Sequence, residues 1–271
     1  MRDQVMYAHI QGNTMRSNLP ALALSTLLFL GTVPAIACEA VSGAQTMAMV
    51  ELYTSEGCSS CPPADRWLSA FSKANPDKVI ALAFHVDYWD YLGWRDRFDS
   101  PRYSQRQRDL VNAAGGRTVY TPQVMVDGAD RASWHESRDI SAIIAATNRR
   151  APGAQLTLKV NATAGNGWKA ELAGTIKQPN RSQQIWLAVY EDGLSSDIHA
   201  GENSGSKLTH NRVVRGWYGP FRANANGQIN LSQDVAAIDG LNPTQAGVVA
   251  FVQETSGGVL QAVSLPFCPH S

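Results

Sequence analysis

An excess of charge of either sign is what this sequence most plainly lacks: its 271 residues carry 23 basic and 23 acidic side chains, a formal net charge of zero. Without a basic excess there is no electrostatic footprint for nucleic acid or an anionic membrane surface. There is no second C-x-x-C and no H-x₃-H, so the four ligands of a structural zinc site are not supplied. No metal and no other cofactor is expected. Internal repeats and low-complexity tracts are absent as well. Beyond residue 37 no apolar run approaches the roughly 20 residues that a membrane-spanning helix requires. Cysteine is scarce, with four in the chain, and each of the four invites a specific reading.

The first 37 residues do contain one apolar run. Leu19 to Val33 follows Arg16 and ends in Ala35-Ile36-Ala37. A basic flank, an apolar stretch of roughly 7–15 residues and an Ala-x-Ala ending describe a secretory signal segment. Met1 to Thr14 lies outside that pattern, which leaves Met15 as an alternative start. Cleavage after Ala37 would place Cys38 at the mature N-terminus. Removing Arg2, Arg16 and Asp3 with this segment leaves 21 basic against 22 acidic residues. A periplasmic or secreted protein with no transmembrane span in its mature chain is expected.

Residues 38–151 and 152–271 have different textures. In the first stretch Met47 to Tyr53 reads as a strand, and Ala64, Trp67, Leu68 and Phe71 fall on one face of a helix. Pro62 and Pro63 occupy the first turn of that helix, where a missing amide donor costs little. Val79 to His85 is a second apolar strand. Ser100-Pro101 caps a second helix, which Gly115-Gly116 closes. Gln123 to Val126, the Asp127-Gly128 turn and an amphipathic helix through Ile140, Ile143, Ile144 and Thr147 follow. The order is β-α-β-α-β-β-α. After Ala151-Pro152-Gly153 seven strand-like stretches succeed one another, Leu208 to Trp217 among them, separated by turns such as Gly165-Asn166-Gly167. That pattern suggests an immunoglobulin-like β-sandwich.

Cys58-Ser59-Ser60-Cys61 lies between the first strand and the first helix. A C-x-x-C there, in β-α-β order, resembles the thioredoxin-like redox arrangement. The position has a chemical rationale. The thiolate is the attacking species, and unpaired amides at a helix N-terminus lower the pKa of a cysteine from about 8.5. Cys58 would attack and Cys61, one turn deeper, would resolve the mixed disulfide. Ser59 and Ser60 offer hydrogen bonds to the sulfur. The bland alternative is a structural disulfide in an exported protein. The leftover cysteines, Cys38 and Cys268, are expected to pair in an oxidising compartment, the competing fate of Cys38 being lipidation.

Leu52 to Asp65 (LYTSEGCSSCPPAD), Phe84 to Trp94 (FHVDYWDYLGW), Tyr120-Thr121-Pro122-Gln123 and Gly201-Glu202-Asn203 together resemble the signature of the secreted domain-of-unknown-function family 1223. The resemblance spans nearly all of the expected mature chain and implies a thioredoxin-like fold without establishing an activity. With the pattern read above, the expectation is an α/β thioredoxin-like domain over 38–151, which the resemblance supports, followed by the all-β sandwich over 152–271, which rests on strand and turn pattern. The resemblance also implies a cis Thr121–Pro122 bond facing the cysteines and shaping a partner groove. Glu51 lies near where such proteins bury an acid, so it is either a proton relay or a salt-bridged strand residue. The aromatic run after His85 is either a substrate platform, with Asp87 and Asp90 tuning the thiol, or a packed loop. His85 itself reads as a hydrogen-bonded structural residue. Asp197, His199, Glu202 and His210 form a polar cluster whose spacing matches no standard metal motif. The leading expectation is a thiol–disulfide oxidoreductase whose partners are protein or small-molecule thiols and disulfides. The rivals are a copper or peptide carrier and a non-catalytic interaction module.

Overall fold

Two strands set the frame because every residue in them is buried. β2 (Ala48–Thr54) and β3 (Val79–His85) are parallel neighbours, covered on both faces along their whole lengths. Near-continuous apolar runs are what strands sandwiched between two layers require. The structure, a computed structural model, describes residues 38–268 except 136 and 164–166. The anticipated signal segment, with Met15, lies outside the described residues.

In chain order the remaining elements begin with β1 (Glu39–Val41), α1 (Cys61–Ala74), α2 (Pro101–Ala113), β4 (Gln123–Val126), β5 (Ala129–Asp130) and α3 (Ser137–Asn148). They continue with β6 (Ala154–Ala162), β7 (Trp168–Ile176), β8 (Gln183–Glu191), β9 (Leu194–Asp197) and β10 (Lys207–His210). β11 (Val213–Phe221), β12 (Gln228–Val235), β13 (Ala246–Glu254) and β14 (Val259–Pro266) complete the chain. Eight strands form one mixed sheet in the order β14-β13-β8-β11-β3-β2-β4-β5, and four form an antiparallel sheet, β1-β6-β7-β12. β9 and β10 pair as a separate hairpin. Among the described residues no helix is long and apolar enough to cross a membrane.

This overturns the expected architecture of an α/β thioredoxin-like domain followed by an immunoglobulin-like sandwich. β11 runs parallel to β3, with Val213 opposite Ala83, and antiparallel to β8. The second half of the chain therefore extends the first half's sheet instead of closing on itself, and the described residues fall in one compact unit. The expected strand Leu208 to Trp217 is really two. Arg212 takes a positive φ of 60°, ending β10 before β11 begins.

Alternation explains why β8 and β13 cannot belong to a free-standing sandwich. Ile185, Leu187, Val189, Val248, Ala250 and Val252 face one core, together with Leu156, Leu158 and Leu172 of the smaller sheet. Their neighbours Ala188, Tyr190, Val249 and Phe251 face a second core, with Tyr53, Phe84, Tyr103 and Trp217. Successive strand side chains point to opposite faces, so both strands are buried twice over. α2 lies over that second core, whereas Ala64 and Leu68 of α1 and Ile140 and Ile144 of α3 cover the opposite face of β2 and β3.

Candidate functional site

The cysteine turn lies where β2 hands the chain to α1. Pro62 and Pro63 open the helix, and its N-cap residue, Ser60, makes no side-chain capping bond. The Ser60 hydroxyl lies instead 3.3 Å from the Cys58 sulfur. Cys58 and Cys61 form a disulfide with their Cα atoms 5.4 Å apart. Both cysteines are fully buried while Ser59 and Ser60 are exposed. Gly57 lets the chain pass close to Trp89, since a Cβ there would lie 3.0 Å from the Trp89 Cβ.

Other expected residues come to the same sheet end. Tyr53 of β2 pairs with Gln123 of β4. The strands are antiparallel, so Thr121 and Pro122, just before β4, lie towards the cysteine turn. The Thr121–Pro122 bond is cis, and Trp89 Nε1 donates to Thr121 Oγ1 at 2.7 Å. Trp89 thus bridges the Gly57 turn and the Thr121–Pro122 segment.

The hairpin β9–β10 supplies the rest. Asn203 Nδ2 donates to the carbonyls of Glu56 at 2.8 Å and Cys58 at 3.0 Å. The Ser59 amide donates to Glu202 Oε2 at 3.0 Å. Residues from the second half of the chain therefore clasp the cysteine turn directly.

Beside the turn lies a buried group of ionisable side chains. Glu56 accepts from His210 Nε2 at 3.2 Å and from Trp94 Nε1 at 2.8 Å. His85 Nδ1 donates to Asp96 Oδ2 at 2.6 Å, and the same oxygen accepts the Glu56 amide at 2.9 Å. Asp65, one turn after Cys61 on the same helix face, accepts from Thr54 Oγ1 at 3.2 Å. His210 Nδ1 lies 3.9 Å from Asp65 Oδ2, beyond hydrogen-bond reach. Burial disfavours a charged His85, yet the Asp96 carboxylate, with Asp65 and Glu56 farther off, pushes its pKa up to about 9. Burial also opposes ionised Asp96, but His85 and the amides of Glu56 and Phe98 hold it below the usual range. Glu56 is lowered against burial by the bonds from His210 and Trp94. Asp65 goes the other way: burial raises it more than the two histidines lower it.

Glu51 does not join this group. It shares a face of β2 with Met49 and Tyr53, towards α2. There Arg106 grips both carboxylate oxygens at 2.7 and 2.8 Å and Tyr53 donates at 2.8 Å. Asp87 accepts from the Ser104 hydroxyl. Asp90 accepts the Asp96 amide at 3.3 Å. Of the polar cluster in the second half, Glu202 and His210 reach the cysteine turn, and His199 meets Trp94 edge-on at 6.0 Å. Among the described residues no three His, Cys, Asp or Glu side chains are arranged to hold a metal ion. Cys38 and Cys268 are joined, with Cα atoms 6.0 Å apart.

Sequence reasoning gave no role to Glu56, Asp65, Asp96 or Asn203, although all but Asp96 lie in the stretches that carry the family resemblance. Asp65 could have been found: it is an acid on the helix face that Ala64 and Leu68 bury, four residues after Cys61. Asp96 carries no such local signal, and for Asn203 the family stretch marks the residue but not its partners, which lie about 145 residues away.

A family model for proteins of unknown function, DUF1223, matches residues 49–253. The chain belongs to this family. That span runs from β2 to β13 and includes the cysteine turn, the Thr121–Pro122 segment and the clasping hairpin. This DUF1223 chain has no match among functionally curated proteins. It is similar in fold to protein AGR_C_4864 from Agrobacterium tumefaciens, a crystal structure, with a TM-score of 0.58 and 23% identity over 85% of this chain and 98% of that one. It is also similar to HBP35 of Porphyromonas gingivalis, with a TM-score of 0.61 and 16% identity over 83% of this chain and 76% of that one. At these identities the likeness concerns fold alone.

Proposed function

We propose that this protein is a thiol–disulfide exchange protein of the periplasm or cell exterior, with Cys58–Cys61 as its redox pair. The observation that carries the reading is the disulfide at a helix N-terminus without a side-chain cap, with the Ser60 hydroxyl turned to the Cys58 sulfur. Pro62 and Pro63 supply no amide there and the Cys61 amide donates to the Cys58 carbonyl at 3.1 Å, so it is the positive end of the helix dipole that favours an anionic sulfur. In the reductive direction a partner dithiol, protein or small molecule, loses one proton and its thiolate attacks Cys58. A sulfur–sulfur bond forms to Cys58, and Cys61 leaves as a thiolate that takes up a proton. The partner's second thiolate then attacks its own sulfur in the mixed disulfide and releases Cys58. Two electrons have passed to the pair, and the reverse sequence oxidises it. Thr121 and Pro122, tied to the turn through Trp89, form part of the groove that receives the partner.

Replacing Cys61 with serine leaves Cys58 without its resolving thiol. The variant, expressed with its export segment, is expected to accumulate mixed disulfides on Cys58, recoverable by non-reducing electrophoresis and mass spectrometry. An empty trap, with no turnover of a model disulfide by the native chain, sinks the reading. One observation favours a second reading, an inert structural disulfide: neither cysteine is exposed. The same trap separates the two, since an inert pair captures nothing.

A further inference from the structure

Gly201-Glu202-Asn203 has no part in the exchange steps, yet it touches the cysteine turn more directly than any other segment of the second half. Its three residues act as one device. Gly201 adopts a φ of +72°, and a Cβ there would lie 3.3 Å from the Trp94 Cβ, so glycine suits both the backbone and the close approach at this point. Asn203, buried, fixes the loop through its two bonds to the Glu56 and Cys58 carbonyls. Held in this way, the exposed Glu202 presents its carboxylate to the Ser59 amide at 3.0 Å.

We propose that Glu202 sets the acidity of the Cys58 thiol, because its carboxylate occupies an amide at the mouth of α1 and opposes a second negative charge there. The inference deepens the redox reading and rests on the pair being reducible. An anion at a helix N-terminus is stabilised by unpaired amides and the helix dipole. Pro62 and Pro63 carry no N–H and the Cys61 amide donates to the Cys58 carbonyl, so the Ser59 amide, next to Cys58 in the chain, is one of the few donors at this turn. Glu202 takes it first, and that bond holds the Glu202 carboxyl below its usual range. A thiolate forming next to this fixed negative charge is disfavoured relative to the same turn without it. The other titratable groups around the turn are Glu56, Asp65 on α1, His85 on β3, Asp96 on the following loop and His210 on β10. They are buried and largely paired with one another. Glu202 is the exposed member, and it is joined to the backbone beside Cys58. It acts on Cys58 through the Ser59 amide and is a positioning residue, not a catalytic one.

The test is the pH profile of Cys58 alkylation by iodoacetamide, read residue by residue by mass spectrometry, in the reduced chain and in reduced Glu202→Gln. The variant's midpoint is expected to fall by about half a unit to one unit, giving roughly three- to tenfold more thiolate below the midpoint. Because Glu202 is exposed, the difference should shrink between low salt and about 1 M salt, where the Debye length falls to roughly 3 Å. The glutathione equilibrium should move by a similar factor towards the reduced pair, since a stabilised thiolate makes the disulfide a stronger oxidant. Repeating the titration in a Cys61→Ser background assigns the midpoint to Cys58 alone. Coincident midpoints for the native chain and Glu202→Gln, both folded by circular dichroism, overturn the proposal even if the native chain turns over a model disulfide. A shifted midpoint without turnover upholds Glu202 and sinks the oxidoreductase reading. A disulfide that yields to dithiothreitol only on unfolding overturns both.

Discussion

His85 and Asp96 form the tightest pairing in the ionisable group beside the cysteine turn, at 2.6 Å with both side chains fully buried. Their protonation states follow from each other's charge. The folded His85 pKa of about 9 lies above the unfolded value near 6.5. Its contribution to stability is therefore complete below about pH 6.5 and lost as pH rises through 9. Asp96 is depressed, so its contribution exists above the unfolded carboxylate value of about 3.9 and disappears as acid reaches the folded one. The pair stabilises most between these limits, from roughly pH 4 to 6.5. Asp96→Asn leaves an uncompensated imidazole and should cost about 3–5 kcal/mol in that window. Urea titrations of both chains from pH 5 to 10 check this. The gap should narrow steadily towards pH 9 and beyond, and a gap that stays constant to pH 10 would refute the ion pair.

β11 is the element on which the halves meet, and Trp217 is its anchor. Its ring lies edge-on to Phe84 of β3 at 5.2 Å and stacks on Trp186 of β8 at 4.7 Å, with Phe251 of β13 at 5.9 Å. The Arg106 guanidinium lies 4.7 Å from the ring centre. Trp217→Ala removes the shared piece of that core and should cost about 3–5 kcal/mol. Thermal melts followed by far-UV circular dichroism and by near-UV signal should fall together, as one transition. A variant that instead melts in two steps, with the α-helical signal surviving, would show the halves to be independent. The elements themselves were legible in the sequence. Ser100 does cap α2, accepting from the Arg102 amide, and Asp127-Gly128 does turn β4 into β5 with φ of 49° and 76°. What periodicity could not convey is which sheet a strand joins. Val248 to Val252 is apolar at every position, which declares a strand covered twice but not by what. The single register pair Val213–Ala83 leaves no mark in either segment.

At the scale of the molecule, the candidate site is a product of that joining. The Cys58 turn, Trp89 and Thr121–Pro122 come from the first half, and their order along the chain made them readable. Glu202, Asn203 and His210 come from a hairpin that begins more than 130 residues beyond Cys58, and the parallel docking of β11 on β3 returns that hairpin to α1. Residues 38–151 alone therefore lack more than a neighbour. β3 would lose the pairing at Ala83 through which β11 docks on its edge, and an unpaired edge is a liability. Tyr53, Phe84 and Tyr103 would lose Ala188, Trp217 and Phe251 from their core. Glu51 and Arg106 would keep each other but lose Gln253, which accepts from Arg106 at 3.1 Å. The fragment would also lose the Cys38–Cys268 link, which spans 230 residues and in the loop-entropy picture contributes on the order of 5 kcal/mol. A separately expressed 38–151 fragment should therefore show poor dispersion in its proton–nitrogen NMR spectrum and no cooperative urea transition. The chain from Cys38 to Ser271 should show both dispersion and one transition. A fragment that unfolds cooperatively with several kcal/mol of stability would mean that β2, β3 and their helices hold together without β11. The sheet would then be two joined units after all, and the clasp on Cys58 an addition to a turn already formed.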